Sequence, residues 1–550
     1  MAGRGSAPNE QEATKTMETV KMRPRYGFVA AVGLLLACAA CSFILDHGTS
    51  QCSSDGDCAA YAPGAVCRDS VCVNGTLPDA ASESGVDAGP DGPCQKGGFA
   101  GDPTTNDQFL NRCTTAMCVP FDNCDKLGLC GVDAGFLPSV DPDGGASTTA
   151  NPDSGAVVSC EDTIAALPGG GTPVYVTGSS NFPGFLKLVA PLLAQDATPH
   201  YVVWQQTNSC TGVDSVFNAA DAKHMMYEGP GKSTVYYDAM GNAQPCVLNV
   251  DVGTGVPSHK IDIGESDVFA DSCAAKLKYQ PMLTTAIGSY TGPIQAIAYL
   301  VPGTSTQRVI SAEAAQAVYG HGGVPDDQKL PWTMPTQFFT RSESTGTNQL
   351  VSRAMSVDPT KWWGVDKKTA SGMVTQLKAV PPALAEKTLG VVSTDLADKE
   401  RGNVKVLAFQ AKGQSCGFWP DSTPFATDKR NVRDGHYPIW GPLHFYTRLL
   451  SGGVPTDAAG ALVQRFSVPR LEQSLVEAIA KSGNVPQCAM GVSRDVEMGD
   501  IQHYASPYDC NCIFEQAATA KAPPECRVCA RATDCPSERP ACNYGFCEAH

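Results

Sequence analysis

The stretch Arg341-Ser342-Glu343-Ser344-Thr345-Gly346-Thr347 decides how the chain is read. It gathers one fixed cation, one carboxylate and several hydroxyls in a single turn. It then runs into Asn348-Gln349-Leu350-Val351-Ser352-Arg353-Ala354-Met355, which continues as a helix with Leu350, Val351 and Ala354 inward. A Thr-Gly-Thr turn at a helix start leaves backbone N–H groups that the helix cannot use, aimed at any anion placed there. Arg341 adds a planar fork suited to an oxyanion. Alone, the stretch would be an N-cap beside a surface arginine. The segments around it supply partners.

Upstream, strands end in Ser/Thr/Gly turns that open helices. A strand over 173–177 leads into Gly178-Ser179-Ser180-Asn181, and a helix with Pro183 in its first turn then buries Phe185, Leu186, Val189 and Leu193. A strand over 201–204 leads to the turn Ser209-Cys210-Thr211-Gly212, with a helix starting at Val213. A strand over 260–264 runs into Glu265-Ser266-Asp267-Val268. In open α/β sheets, ligands sit at such strand ends. The segment 292–390 reads as a second lobe, with a strand over 294–301 and a helix over 311–319. Strands near 389–392 and 404–409 read as re-entering the first lobe. A helix over 471–481 stops at Gly483.

These pieces, with Gly435-His436-Tyr437-Pro438-Ile439, resemble in kind and order the periplasmic phosphate-binding proteins of bacterial ABC importers. The resemblance implies an α/β, two-lobed periplasmic-binding-protein-like fold with the chain crossing between lobes. It implies inorganic phosphate or a related oxyanion as ligand, and an ABC importer permease as partner. Carried over residue by residue, Ser179, Ser180 and Ser209 donate from the first lobe. Arg341 pairs with the oxyanion, and Thr345, Gly346 and Thr347 supply hydroxyl and N–H donors. Asp267 accepts the proton of a protonated oxyanion and so repels ionised sulfate. Glu343 stands where the family has Asp, Ser344 where it has Gly, and Thr345 where it has Ser. Cys210, in the middle of the second turn, is expected to be disulfide-bonded.

The chain has 550 residues, room for more than one domain, and a formal charge of −16 from 40 basic and 56 acidic residues. No basic cluster suggests a nucleic-acid partner. Residues 21–41 look like an export signal. Lys21, Arg23 and Arg25 precede an apolar run too short to span a bilayer, and a lipid-anchor cysteine follows, Cys41 or Cys38. Removing Cys38 and acylating Cys41 leaves an even number of the 24 cysteines for pairing. An ordinary secretory signal without lipid is one alternative, and a transmembrane anchor is the third reading. The expected location is the cell envelope, periplasmic or outer-membrane, with the lipid holding the chain to the membrane.

Cysteine spacing repeats at the two ends. Cys52-x5-Cys58-x8-Cys67-x4-Cys72 returns as Cys529-x5-Cys535-x6-Cys542-x4-Cys547. Such pieces bury too little apolar surface to fold alone, so disulfides rather than zinc are expected to hold them. A further cluster, Cys94, Cys113, Cys118, Cys124 and Cys130, has an odd count and implies a bond outward, with Cys160 as one candidate. The boundaries that follow are a signal over 1–41, a cysteine-rich module over 42–73 and a linker over 74–93. A second module over 94–130 and a linker over 131–159 come next. The first lobe then spans 160–291, the second lobe 292–388, the first lobe's return 389–509, and a C-terminal cysteine-rich module 510–550. The linkers lack Lys and Arg and are rich in Gly, Pro, Asp and Ser, the composition of disordered spacers.

Other signals carry less. Gly229-Pro230-Gly231-Lys232-Ser233 lacks the leading glycine of a nucleotide-phosphate loop, where Met226 stands. His436 and His444 fit no metal spacing and read as packed loop residues. No nucleophile–base constellation occurs, so the expectation is a binding protein without cofactor or metal, not an enzyme. The alternative is a surface structural or adhesive protein that uses the fold as a scaffold and the cysteine modules for partner contact.

Overall fold

The computed structural model describes residues 65–68, 71–74, 98–127, 129, 158–230, 232–323 and 329–550. The signal stretch with Cys38 and Cys41, and most of both linkers, lie outside these residues. Among the described residues, no helix is long and apolar enough to cross a membrane. Met1–Asp87 forms one compact unit and Ala88–His550 another. In the first unit the strands Ala65–Arg68 and Val71–Asn74 pair as an antiparallel hairpin that sets Cys67 opposite Cys72.

The second unit is mixed α/β. Its main sheet starts from a parallel core: β1 (Thr172–Gly178), β2 (His200–Gln206) and β3 (Ile263–Ser266), with β1 in the middle. Helix α1 (Pro183–Ala194) packs on this core through Phe185, Leu186, Val189 and Leu193, all fully buried, as the 3.6-residue spacing predicts. Helix α2 spans Ser209–Phe217. The sequence expectation of a free turn over 209–212 is corrected here. Asn208 caps the helix by accepting from Thr211 N–H, so Ser209 already lies in its first turn.

The connection between lobes is made by β4 (Ile287–Pro302), a 16-residue strand longer than the sequence suggests. Its first part pairs with β6 (Trp440–Arg448), which also pairs with β3. Its second part pairs with β5 (Gly390–Ser393) and with Val404–Val406. Between Thr291 and Ile294 the register shifts, and Gly292-Pro293 occupies the irregularity. A proline cannot donate to a ladder, so it marks the point where regular pairing is released. The nine-stranded sheet is therefore shared by both lobes, and β4 and β6 are its crossing strands.

This corrects the expected point of return. The strands at 389–392 and 404–409 belong with the second lobe. Val404–Val406 pairs with the far end of β4, while Ala408–Gln410 joins Val309–Ser311, Gly417–Phe418 and Cys118–Val119 in a four-stranded sheet. Only at Trp440 does the chain come back. Helix α3 (Gly346–Ala354) buries Leu350 and Val351 in this lobe.

Residues 98–127, read from the sequence as part of a stapled module, pack into the largest core cluster. Phe109, Leu110, Phe121 and Leu127 are buried there. The outward bond of this cysteine cluster is Cys118–Cys416, not a bond to Cys160, which pairs with Cys246. The C-terminal segment is bound in the same way. Cys488–Cys510 anchors it, Ile513, Phe514, Tyr544 and Phe546 join the same core, and Cys512–Cys526, Cys529–Cys542 and Cys535–Cys547 close it.

Candidate oxyanion site between the lobes

Three parallel strands end on the same edge of the sheet, and each hands a polar residue to the seam. β1 gives Ser179, Ser180 and Asn181, α2 after β2 gives Ser209, and β3 gives Asp267. From the second lobe the turn 341–347 brings Arg341 and the first turn of α3. Residues far apart in sequence thus meet at one place.

The contacts across the seam are direct. Arg341 Nη2 donates to Ser180 Oγ at 2.7 Å, and Arg341 Nη1 to Thr347 Oγ1 at 3.2 Å. Gly346 N–H donates to Ser209 Oγ at 3.0 Å, and Asp267 N–H to the same oxygen at 3.3 Å. Ser179 Oγ donates to Asp267 Oδ2 at 2.5 Å, and Asn181 Nδ2 to the same oxygen at 2.9 Å. Asn181 Nδ2 also reaches Thr347 Oγ1 at 3.2 Å and Gln295 Oε1, on crossing strand β4, at 3.3 Å. Cys210 N–H donates to Ser344 C=O at 3.3 Å, and the Cys210–Cys273 disulfide fixes that turn.

At Gly346 the two lobes approach closely. A Cβ there would lie 2.5 Å from Ser209 Oγ and 2.6 Å from Asp267 Cβ, so only glycine lets the helix start approach. Thr347, the next residue of α3, has an N–H of the kind a helix cannot satisfy itself.

Arg341 is only 4% exposed, and its Nε has no partner among the described residues. Burial lowers its pKa to about 10, with Asp267 and Asp366 opposing the shift, so it is a cation at neutral pH. Burial raises the Asp267 carboxyl, while Ser179, Arg341, Glu265 and Asn181 pull it back. The seam therefore holds a buried cation and a buried carboxylate among hydroxyls and N–H donors, the set needed for an anion that keeps a proton.

Of the residues singled out from sequence, Ser179, Ser180, Ser209, Asp267, Arg341, Gly346 and Thr347 come together here. Thr345 caps α3 instead: its Oγ1 accepts from Asn348 N–H at 3.4 Å and donates to Ser342 C=O at 2.9 Å. Glu343 turns away from the seam's centre to pair with Lys276 of the first lobe, on the short helix Ala274–Leu277. Sequence reasoning missed Asn181 and Gln295, which sit in the middle of the network. Asn181 closes the Ser-Ser-Asn turn and was readable there; Gln295 lies mid-strand and carries no local signal.

The remaining candidates resolve as structure. His436 is bound through both ring nitrogens, to Asp434 Oδ1 at 2.6 Å and Arg112 C=O at 2.7 Å. His444 lies on β6 rather than in a loop, stacked on Tyr446, and burial lowers its pKa to about 3. Neither ring is placed to act as a base at neutral pH.

No family model matches the chain, and no curated protein matches it. Comparison with solved structures finds distant similarity only. A putative phosphate ABC transporter substrate-binding protein from Clostridium perfringens, with bound phosphate, is 10% identical with a TM-score of 0.37, over 57% of this chain and 99% of that one. An ABC-type phosphate transport receptor from Vibrio cholerae is 14% identical with a TM-score of 0.34, over 57% of this chain and 100% of that one. The reduced OxyR regulatory domain from Pseudomonas aeruginosa is 10% identical with a TM-score of 0.29, over 53% of this chain and 95% of that one. Similarity this distant carries neither fold nor ligand over to this chain. What the chain's own topology establishes is an α/β fold of two lobes joined by crossing strands, like that of periplasmic binding proteins, with several disulfides.

Proposed function

We propose that the protein binds inorganic phosphate, or a like tetrahedral oxyanion that keeps a proton, between its two lobes. The observation that carries this reading is the convergence of Arg341, the α3 N-terminus, the strand-end serines and Asp267 on one buried seam. Arg341 and the N–H groups of Gly346 and Thr347 hold the negative oxygens. Ser179, Ser180 and Ser209 donate to the remaining lone pairs. Asp267 accepts the ligand's O–H, which fully ionised sulfate lacks. Binding is coupled to lobe movement, because the Ser180–Arg341 and Ser209–Gly346 contacts must part to admit a guest. The irregularity at Gly292-Pro293 in β4 is the place for that hinge. The disulfides fit an oxidising compartment. A lipid anchor at Cys41 or Cys38, a place in the cell envelope and an importer permease as partner belong to the same reading. Isothermal titration of the purified protein with phosphate and with sulfate tests it: phosphate heat with little sulfate heat is expected, and equal affinity for both would sink it.

A second reading has an observation of its own. The seam's donors already bond to one another across the lobes, and Lys276–Glu343 clasps the mouth, as in a scaffold that stays shut. Small-angle scattering separates the two: a scaffold keeps one radius with and without phosphate, whereas a binding protein changes it.

A further inference from the structure

Glu265 sits beneath the seam on β3, fully buried. A Cβ on Gly178 would lie 2.4 Å from Glu265 Oε2, and one on Gly212 would lie 2.0 Å from the backbone Glu265 C=O, so both glycines pack closely against this residue. Ser179 clasps both carboxyl groups of the region. Its N–H donates to Glu265 Oε2 at 2.6 Å, and its hydroxyl donates to Asp267 Oδ2 at 2.5 Å. The two carboxyls thus lie on either side of one serine, and each alters the other's hold on a proton. Each has one oxygen, Oε1 and Oδ1, that finds no donor among the described residues.

Two carboxyls bonded to one serine and shut away from water do not both ionise, so the pair keeps a proton. The surroundings decide where the proton resides. Asp267 has Ser179 O–H, Asn181 Nδ2 and the Arg341 charge to favour its ionised form, and feels Asp395 only at a distance. Glu265 has one backbone N–H, and among the described residues no cation acts on it. Burial and the Asp267 charge accordingly hold the Glu265 carboxyl well above its ordinary range.

We infer that Glu265 is a standing carboxylic acid that donates to Asp267, and that this donation fixes the cleft's preference for a proton-bearing oxyanion. The inference rests on the oxyanion reading above for its ligand, but not for the shared proton. A carboxylate offers about four lone-pair sites. Ser179, Asn181 and Glu265 take three on Asp267 and leave one for the ligand's O–H. Without the Glu265 proton, Asp267 would take up its own. It would then turn from acceptor to donor and welcome ionised sulfate. Glu265 is thus a positioning residue, acting through Asp267.

Three measurements on the whole protein test it. Infrared difference spectra at neutral pH are expected to show a protonated-carboxyl band that Glu265→Gln removes; no such band would overturn the shared proton, whatever binds. Titration of Glu265→Ala with phosphate and sulfate should show the phosphate-over-sulfate ratio reduced about tenfold for each unit that Asp267's proton affinity rises. The loss should deepen toward acid pH. Glu265→Gln, whose amide donates in the same place, should restore the ratio. An unchanged ratio in Glu265→Ala, in protein folded by circular dichroism, overturns the specificity role. If the wild type shows the band yet binds neither anion, the oxyanion reading falls and the carboxyl pair stands.

Discussion

The two lobes bring opposite chemistry to one seam. The first lobe supplies hydroxyls and a carboxyl pair: Ser179, Ser209, Asp267 and Glu265, each at or near the end of a parallel strand. The second lobe supplies donors: Arg341 and the opening N–H groups of α3. Neither set is a binding site alone. The first would repel an anion, and the second would accept any anion of suitable size. On the proposed reading, capture and discrimination fall to different halves of the molecule, and only closure puts them together.

The sharpest way to break this division is Arg341→Ala. It removes the buried cation and should weaken phosphate binding by about 4 kcal/mol, several hundredfold or more in Kd, while barely changing the phosphate-over-sulfate ratio of what binding remains. Titration calorimetry reads both. A change in the ratio as large as the loss in affinity would dissolve the contrast between the lobes.

Next comes the brace on the acceptor side. Phe269 N–H, two residues past Asp267, donates to the buried carboxyl of Glu497 at 3.1 Å. Burial raises Glu497 to about 7, with Arg353 and Arg494 opposing the shift and Asp271 adding to it. The folded chain thus keeps a proton that the unfolded chain has already released. This contribution to stability is full at acid pH and is lost as pH climbs from the ordinary glutamate value to about 7. Glu497→Gln should flatten that stretch of the profile, gaining on the order of 2–3 kcal/mol over the wild type at alkaline pH. Denaturant melts across the range check it, and parallel profiles would refute it.

Gly346→Ala tests closure itself. The added methyl would meet Ser209 and Asp267, and easing that overlap should cost about 2 kcal/mol in the closed state. Phosphate affinity should fall, with the scattering radius remaining at its open value when ligand is added. A normal radius change would show that the lobes need not approach this closely. The smallest effect belongs to the pair at the mouth. Lys276 and Glu343 are both partly exposed, so Lys276→Met should cost less than about 1 kcal/mol of affinity, and less still at high salt. Its trace should appear in a faster ligand off-rate.

Much of the seam was legible because turn chemistry is local. Ser-Ser-Asn after an apolar run, or Thr-Gly-Thr before a helical period, declares a strand end or a helix start whatever it packs against. Arg341 and Asp267 could be found this way. Glu265 could not, because a glutamate inside a strand pattern reads as an edge residue until Gly178 and Gly212 are seen pressing on it. The lobe boundary was misjudged for a similar reason. The runs at 389–392 and 404–409 look like strands in any sheet, and only pairing with the far end of β4 assigns them to the second lobe. Glu343 was misplaced because its alternative partner, Lys276, is 67 residues away.

The Cys118–Cys416 bond joins residues 298 positions apart, and most of both lobes lies on the loop it closes. A single protease cut anywhere on that loop would leave the two fragments covalently attached. On a gel, such a nicked chain would run as an intact band until a thiol reductant is added, and only then fall apart. Separation of the fragments would accordingly need electrons as well as hydrolysis.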